Sequence, residues 1–121
     1  MKIFLIGPMG SGKSKIGKIL SSELDKDLFD LDKEIEKDLN LSINEIFKLK
    51  GEAYFRGIET KYLKKSLELK DCIVSTGGGI VESEENLNLL KNEKYVIFLN
   101  SKVESQFENT KGSDKRPLLN L

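Results

Sequence analysis

Histidine is absent from the 121-residue sequence, and cysteine occurs once, as Cys72. With no imidazole and a single thiol, the chain cannot assemble a zinc site from the usual ligands or close a disulfide within itself. Any metal ion must therefore be a hard cation bound by oxygen atoms. Cys72 lies in the apolar run CIVS, which indicates a small buried hydrophobic side chain rather than a reactive thiol.

Long apolar runs and an excess of charge of one sign are also lacking. No stretch approaches a membrane span, and the N-terminal run IFLIG is too short for a signal peptide, so we expect a cytoplasmic protein without a membrane partner. The 20 basic and 20 acidic residues leave a net charge of zero. Without a basic stripe, nucleic acid is not expected as the main partner, and RNA is excluded less firmly than DNA.

The order of the apolar runs predicts an α/β fold with a parallel sheet. The segments KIFLIG, DLFDLD, CIVS and YVIFLN are predicted strands, and segments with helical apolar spacing, such as SKIGKILSSEL, separate them. Within the long charged segment between the second and third strands, Ser42 is expected to cap a helix that begins near Ile43. Gly51 is expected to separate that helix from the next one. The length of the chain favours one domain with its own core.

The most specific motif is GPMGSGKS, in which Gly7, Gly12, Lys13 and Ser14 match the phosphate-binding pattern G-x-x-x-x-G-K-[ST]. The glycines let successive backbone N–H groups turn toward an anion. Lys13 places a positive charge at the β- and γ-phosphates, and Ser14 offers an oxygen to Mg²⁺. Because the motif lies between a predicted strand and a predicted helix, we interpret it as a nucleoside triphosphate site.

Two carboxylates follow the phosphate loop in the chain. Asp30 and Asp32, in LFDLD, are predicted at the C-terminal end of the second strand, where a period of two would place both side chains on the same side. Ligands bind at that edge of a parallel sheet. One carboxylate could then hold Mg²⁺ through water while the other orients an acceptor hydroxyl and accepts its proton. A solvated turn or a helix cap is the alternative interpretation.

Three further motifs are weaker signals when each is taken alone. Arg56 and Glu59, in YFRGIE, lie one helical turn apart, a spacing that is also typical of a surface ion pair. The three glycines of STGGG expose backbone donors to a ligand, although a tight turn is the alternative. In KGSDKRPLL, Arg116 precedes Pro117 in a polar loop, which is either a lid that brings an arginine to a phosphoryl group or an ordinary surface loop.

The segments GPMGSGKS, LFDLDKEIE, GEAYFRGIE, STGGG and KRPLL, in this order, resemble the shikimate kinases over essentially the whole chain. The resemblance implies a three-layer P-loop fold like that of nucleoside-monophosphate kinases. It also implies ATP-dependent, Mg²⁺-requiring phosphorylation of the 3-hydroxyl of shikimate, on the route to chorismate and the aromatic amino acids. Another small-molecule P-loop kinase, of the gluconate kinase type, and an impaired nucleotide-binding module are the alternatives.

The resemblance also implies roles for individual residues in a single domain over residues 1–121. The residues expected to bind ATP are Gly10, Ser11, Gly12, Lys13, Ser14, Lys15 and Arg116. The residues expected to bind shikimate are Asp32, Arg56, Gly77, Gly78 and Gly79, and Glu59 is expected to hold Arg56 or a neighbouring residue in place. The expected catalytic residues are Lys13, Asp32 as the base, and Arg116, and the expected metal ligands are Ser14 and Asp30. A substrate-binding helical segment is expected at about 33–61 and a lid at about 109–121.

Shikimate kinases usually continue beyond the R-P-L-L segment with a second substrate-binding arginine, a fifth strand and an adenine-contacting loop. We therefore expect a four-stranded sheet in the order 2-3-1-4, with the fifth strand absent and YVIFLN at an exposed apolar edge. Without the second arginine we expect weaker binding of the shikimate carboxylate, and without the adenine-contacting loop we expect a higher KM for ATP. The family implies a monomer, while the exposed edge offers a route to self-association. Lys15 stands where the family often has threonine, an exposed position that should tolerate the change.

Overall fold

The computed structural model describes residues 1–8 and 10–99 of the chain. Strands and helices alternate along this part of the chain, as the apolar pattern predicts. The strands are β1 (Lys2–Ile6), β2 (Asp27–Asp30), β3 (Cys72–Ser75) and β4 (Tyr95–Phe98). The helices are α1 (Lys13–Leu24), α2 (Leu31–Leu39), α3 (Ile43–Lys50), α4 (Glu52–Leu67) and α5 (Glu84–Leu90), with a 3₁₀ turn over Ile80–Glu82.

The four strands form one parallel sheet in the order β2-β3-β1-β4, which confirms the predicted order. Phe4 of β1 lies between Val74 of β3 and Val96 of β4, and Phe29 of β2 pairs with Val74 from the other side. Because all strands run in the same direction, their carboxyl ends share one edge of the sheet. The loops that carry the predicted site residues emerge at this edge.

Helices cover both faces of the sheet, as expected for a three-layer α/β fold. Phe4 and Ile6 of β1 face the larger core, which α2, α3, α4 and α5 complete. Ile3 and Leu5 point the other way, toward the apolar side chains of α1. Cys72 belongs to the larger core and is buried, which confirms its interpretation as a small hydrophobic residue.

Helix boundaries between β2 and β3 follow from local capping. The Ser42 hydroxyl accepts a hydrogen bond from the Glu45 N–H (3.1 Å), and the Glu45 carboxylate accepts one from the Ser42 N–H (2.8 Å). This reciprocal pair is a capping box and fixes the predicted start of α3. Gly51, at φ 91°, ends α3 and begins α4, as its position in the sequence predicts.

The predicted placement of Asp30 and Asp32 on one strand is wrong. Strand β2 ends at Asp30, and α2 begins at Leu31, so Asp32 lies in the first turn of a helix. The physical reason is capping, because an Asp30 carboxylate oxygen accepts a hydrogen bond from the Lys33 N–H (3.2 Å) and starts the helix immediately.

Two further expectations concern the C-terminal lid and membrane-spanning segments. The predicted lid at about 109–121, with Arg116, lies outside the described residues. Within residues 1–8 and 10–99, none of the helices combines the length and the apolar character needed to cross a membrane.

Candidate functional site

The phosphate loop joins β1 to α1 at the carboxyl edge of the sheet. Gly10 (φ 79°) and Gly12 (φ 89°) adopt left-handed backbone conformations that other residues rarely occupy. At Gly7, a Cβ atom would lie 2.1 Å from the carbonyl oxygen of Leu99, which follows β4. A positive φ favours glycine at all three positions of the motif, and close packing is a second reason at Gly7 (φ 149°).

Lys13 begins α1, and its side chain folds back over the loop. The ammonium group donates to the carbonyl oxygens of Gly7 (2.5 Å) and Pro8 (2.9 Å), and the side chain is only 8% exposed. Burial lowers the pKa of Lys13, while the nearby charges of Asp32 and Asp30 act in the opposite direction. The loop thus holds a fixed cation beside two carboxylates.

Ser14 and Asp30 bring two oxygen ligands together. The Ser14 hydroxyl donates to a carboxylate oxygen of Asp30 (3.1 Å), whose other oxygen is held by the N–H of Lys33. Hydroxyl and carboxylate oxygens are the donors that Mg²⁺ prefers. The described residues contain no cluster of three histidine, cysteine or carboxylate side chains placed to hold a metal. Ser14 and Asp30 could hold a Mg²⁺ ion, which usually keeps several water ligands when proteins bind it.

Asp32 reaches the site from the first turn of α2. Its Oδ1 atom is buried and has no hydrogen-bond partner among the described residues. Burial raises the pKa of Asp32, the charge of Asp30 acts in the same direction, and Lys13 opposes them. A half-buried carboxylate with such an oxygen is suited to accept a proton from a bound hydroxyl group.

Glu59 and Asp32 meet at Gly77. A Cβ atom on Gly77 would lie 2.7 Å from Asp32 Oδ1 and 2.8 Å from Glu59 Oε2, and both oxygens lack a hydrogen-bond partner among the described residues. Glu59 is 1% exposed, and burial raises its pKa. Two buried acceptor oxygens close to one glycine fit a ligand whose hydroxyl groups donate hydrogen bonds to them.

Arg56 completes this part of the site from α4. Its guanidinium group donates to Glu59 Oε1 (3.1 Å) and Glu52 Oε2 (3.3 Å) and lies 5.6 Å from the centre of the Phe55 ring. A Cβ atom on Gly79 would lie 2.1 Å from a guanidinium nitrogen. The guanidinium therefore packs directly on Gly79, in an orientation that its acidic neighbours stabilise.

These groups line two adjoining clefts. The phosphate cleft has a volume of about 460 Å³. Its lining includes Gly10, Gly12, Lys13, Ser14, Lys15, Asp30, Asp32, Lys33, Glu36, Ile43, Thr76 and Gly78. The second cleft has a volume of about 270 Å³ and is lined by Pro8, Asp32, Ile43, Phe47, Phe55, Arg56, Glu59, Gly78, Gly79 and Glu82. Because the two clefts share Asp32, Ile43 and Gly78, a ligand in the second cleft would present a group directly to the first.

The structure brings the predicted site residues within the described range to this one edge of the sheet, Lys15 included, which is exposed and lines the phosphate cleft. Sequence reasoning missed Thr76, which lines the phosphate cleft and whose hydroxyl donates to the Leu5 carbonyl (2.9 Å). Thr76 directly follows a predicted strand, at the edge of a parallel sheet where ligands bind, and this position could have identified it. Sequence reasoning also missed Glu82 in the second cleft. A glutamate in the acidic run VESEEN, just before a predicted helix, carries no comparable signal.

A family model described as shikimate kinase matches residues 9–121 of the chain. Among curated proteins, the shikimate kinase of Persephonella marina is 45% identical over 117 residues, which cover 97% of this chain and 71% of that protein. The shikimate kinase of Aquifex aeolicus is 44% identical over 119 residues, with coverages of 98% and 71%.

Solved structures give the same result. The shikimate kinase from Acinetobacter baumannii in complex with shikimate has a TM-score of 0.80 and 37% identity, covering 99% of this chain and 67% of that one. The Aquifex aeolicus structure has a TM-score of 0.77 and 46% identity, covering 81% of this chain and 62% of that one. The chain thus spans about two thirds of the length of these solved relatives.

Proposed function

Because the chain belongs to the shikimate kinase family, we propose that it transfers the γ-phosphoryl group of ATP to the 3-hydroxyl of shikimate. The single observation that supports this most strongly is the pair of adjoining clefts with Asp32 in the wall of both. A phosphate loop lines the first cleft, and an arginine with hydroxyl acceptors lines the second. The solved shikimate kinase from Acinetobacter baumannii is in complex with shikimate, which supports the same substrate here.

In the phosphate cleft, the glycine-rich backbone and Lys13 bind the phosphates of ATP. The left-handed conformations of Gly10 and Gly12 turn the loop around the anion, and the start of α1 adds the positive end of the helix dipole. The Lys13 ammonium, which lies on the loop carbonyls, exchanges those contacts for the β- and γ-phosphate oxygens. Its positive charge stabilises the charge that develops on the transferring group.

Ser14 and Asp30 are the residues that would hold Mg²⁺. When bound there, the metal would neutralise part of the negative charge on the phosphates. Asp30 is fixed for this purpose from two sides, by the Ser14 hydroxyl and by the N–H of Lys33.

In the second cleft, Arg56 binds the carboxylate of shikimate, and the ring of the substrate lies against Gly77, Gly78 and Gly79. A planar guanidinium can donate two parallel hydrogen bonds to a carboxylate. The ring hydroxyls then point toward Asp32 Oδ1, whose hydrogen-bonding capacity is unused by the described residues. Glu59 keeps the guanidinium oriented through its 3.1 Å hydrogen bond.

Asp32 acts as the proton acceptor for the reaction. The oxygen of the 3-hydroxyl forms a bond to the γ-phosphorus while the bond from that phosphorus to the bridging oxygen breaks. The hydroxyl proton passes to Asp32, and ADP leaves with the electron pair of the broken bond. Burial raises the pKa of Asp32, which improves its capacity to take up a proton near neutral pH.

The wider role follows the family. The product, shikimate 3-phosphate, would serve the route to chorismate and the aromatic amino acids in the cytoplasm. We propose that residues 109–121, approximately, form a lid in which Arg116 contacts ATP. The helical segment at about 33–61 is the substrate-binding part of a single domain. The protein works as a monomer.

The proposed function is tested by measuring ADP release from ATP and Mg²⁺ with shikimate, with gluconate as the matched control substrate. We expect ADP release to depend on shikimate and not to respond to gluconate. Equal stimulation by gluconate would favour a different small-molecule kinase. ATP binding without stimulation by either compound would favour a nucleotide-binding module.

A further inference from the structure

The second cleft contains more negative charge than the binding of an anion requires. Its lining holds one guanidinium, Arg56, and three carboxylates, Asp32, Glu59 and Glu82. Asp32 accepts the proton in the proposed reaction, and Glu59 orients Arg56. Glu82 has neither role, although a negative charge in this position repels any anionic ligand that enters.

Glu82 is held at the mouth of the cleft by the backbone. It is the last residue of the 3₁₀ turn, and its N–H donates to the carbonyl oxygen of Gly79 (3.1 Å), which packs against Arg56. Its side chain is exposed but lines the cleft. Burial is the main reason that the pKa of Glu59 is raised, and the charges of Asp32 and Glu82 act in the same direction. The field of Glu82 therefore reaches the interior of the cleft.

The two ligands of the proposed reaction differ in charge. Shikimate carries one carboxylate, whereas its phosphorylated product carries the same carboxylate and a phosphate of about −1.5 to −2 at neutral pH. Electrostatic repulsion is summed over all charges of the ligand, so the added phosphate, although it lies toward the first cleft, makes the repulsion of the product by Glu82 larger than that of the substrate. We propose that Glu82 is a specificity-determining residue that weakens binding of the phosphorylated product more than binding of shikimate, and so favours product release. This inference rests on the proposed function.

The test compares Glu82→Gln with Glu84→Gln, an exposed glutamate in the first turn of α5 that lines neither cleft. Calorimetry on the full chain gives the Kd of shikimate and of shikimate 3-phosphate separately. For Glu82→Gln we expect shikimate to bind about two- to five-fold more tightly, a size typical of one partly screened charge, and the product to gain more than that. Both gains should shrink in 0.5 M KCl, where the screening length is only about 4 Å. Glu84→Gln should leave both Kd values unchanged.

Other results would overturn the inference. If both ligands bind to the unmodified chain and Glu82→Gln changes neither Kd, the charge of Glu82 has no role in selection. An equal gain for the two ligands, or a gain that does not depend on salt, would also contradict a charge-based mechanism. If the unmodified chain binds neither ligand, the proposed function fails and this inference fails with it. The two failures are therefore distinguishable.

Discussion

At the scale of single residues, several glycines of the site are explained by the groups that occupy the place of their missing side chains. A Cβ atom would meet two carboxylate oxygens at Gly77 and the Arg56 guanidinium at Gly79. Gly57, by contrast, lies in α4 with nothing within 4 Å of its Cβ position. Glycine is therefore required at positions 77 and 79 in the site, whereas position 57 on the helix surface has room for a side chain.

Gly77→Ala and Gly57→Ala form a matched pair of variants. At Gly77 the new methyl group must displace Asp32 and Glu59, so we expect a loss of stability of about 1–3 kcal/mol and a fall in kcat of at least about ten-fold. At Gly57 the alanine should raise the free energy of unfolding by about 0.5–1 kcal/mol without a change in kcat. Denaturant unfolding and steady-state kinetics check both, and full activity of Gly77→Ala would contradict the assigned packing.

Lys13→Ala removes the fixed cation of the phosphate loop. We expect kcat to fall about 100- to 1,000-fold, since a preorganised charge at the transferring group contributes most in the transition state. Lys18→Ala is the control, because Lys18 is an exposed lysine of the same helix and lines neither cleft. Activity of Lys13→Ala within a few-fold of the parent chain would refute the role given to Lys13.

Glu59 makes the stability of the fold depend on pH. Burial raises its pKa, so the native state binds this proton more tightly than the unfolded chain does. The contribution of Glu59 to stability is therefore complete below the ordinary glutamate pKa of 4.5 and is lost as the pH rises through the raised value. We expect Glu59→Gln to match the parent chain at low pH and to become relatively more stable toward pH 8.

Denaturant unfolding at several pH values measures this difference, with the exposed Glu84→Gln as the control. If Glu59→Gln instead becomes relatively less stable as the pH rises, the ion pair with Arg56 outweighs the cost of burial, and the assigned direction is wrong.

Residue types and spacing predicted the phosphate loop and singled out both aspartates, because each belongs to a local pattern. The role of Arg56 was implied by the resemblance to a family, since its spacing from Glu59 is also typical of a surface ion pair. The meeting of Asp32 and Glu59 above Gly77 could not be predicted in this way. The three residues come from α2, α4 and the loop after β3, so their contact depends on how those elements pack.

At the scale of elements, one buried amide connects the two parts of the second cleft. Asn86 of α5 is 1% exposed, donates to the Ile80 carbonyl (3.0 Å) and accepts from the Thr60 hydroxyl of α4 (2.7 Å). The Ile80 turn follows Gly79, and Thr60 follows Glu59. Asn86 therefore holds α4, which carries Arg56, against the loop on which Arg56 packs.

Thr60→Val tests this connection while keeping the shape of the side chain. The buried amide oxygen of Asn86 loses its partner, so we expect a loss of stability of about 1–3 kcal/mol. We also expect the KM for shikimate to rise while the KM for ATP stays constant, because the phosphate loop is not involved. Steady-state kinetics with each substrate varied in turn gives both values.

Tyr62→Phe is the control, since the Tyr62 hydroxyl donates to Asp38 (2.6 Å) and ties the same helix to the C-terminal end of α2, the end opposite Asp32. It should cost stability without changing either KM. If Thr60→Val also loses stability and leaves the KM for shikimate unchanged, Asn86 supports the fold and does not position the site.

The elements themselves were largely predictable, and the exception has a local cause. Short sequence signals indicate two of the helix boundaries. These are the start of α3, which Ser42 and Glu45 cap, and the break at Gly51. The end of β2 was misplaced because the segment LFDLD is equally compatible with a strand and with a capped helix start. The hydrogen bond from the Lys33 N–H to Asp30 decides between them, and strand periodicity does not contain that information.

At the scale of the whole molecule, the strand order β2-β3-β1-β4 places the three loops of the site in a row along one edge of the sheet, with the phosphate loop at one end. Strand β1 leads into the loop, β3 beside it leads into the triple glycine, and β2 beyond β3 leads into Asp30 and Asp32. The order was expected from the resemblance to a family, since alternating strands and helices alone are compatible with several parallel topologies. Self-association through β4 stays a prediction.

The most direct test of the central claim is to incubate the chain with ATP, Mg²⁺ and shikimate and to identify the phosphorus-containing products by ³¹P NMR. We predict that a phosphomonoester signal coupled to the proton at C3 of shikimate appears as the γ-phosphate signal of ATP disappears. Formation of inorganic phosphate alone, or no loss of ATP at all, would contradict the proposed phosphoryl transfer to shikimate.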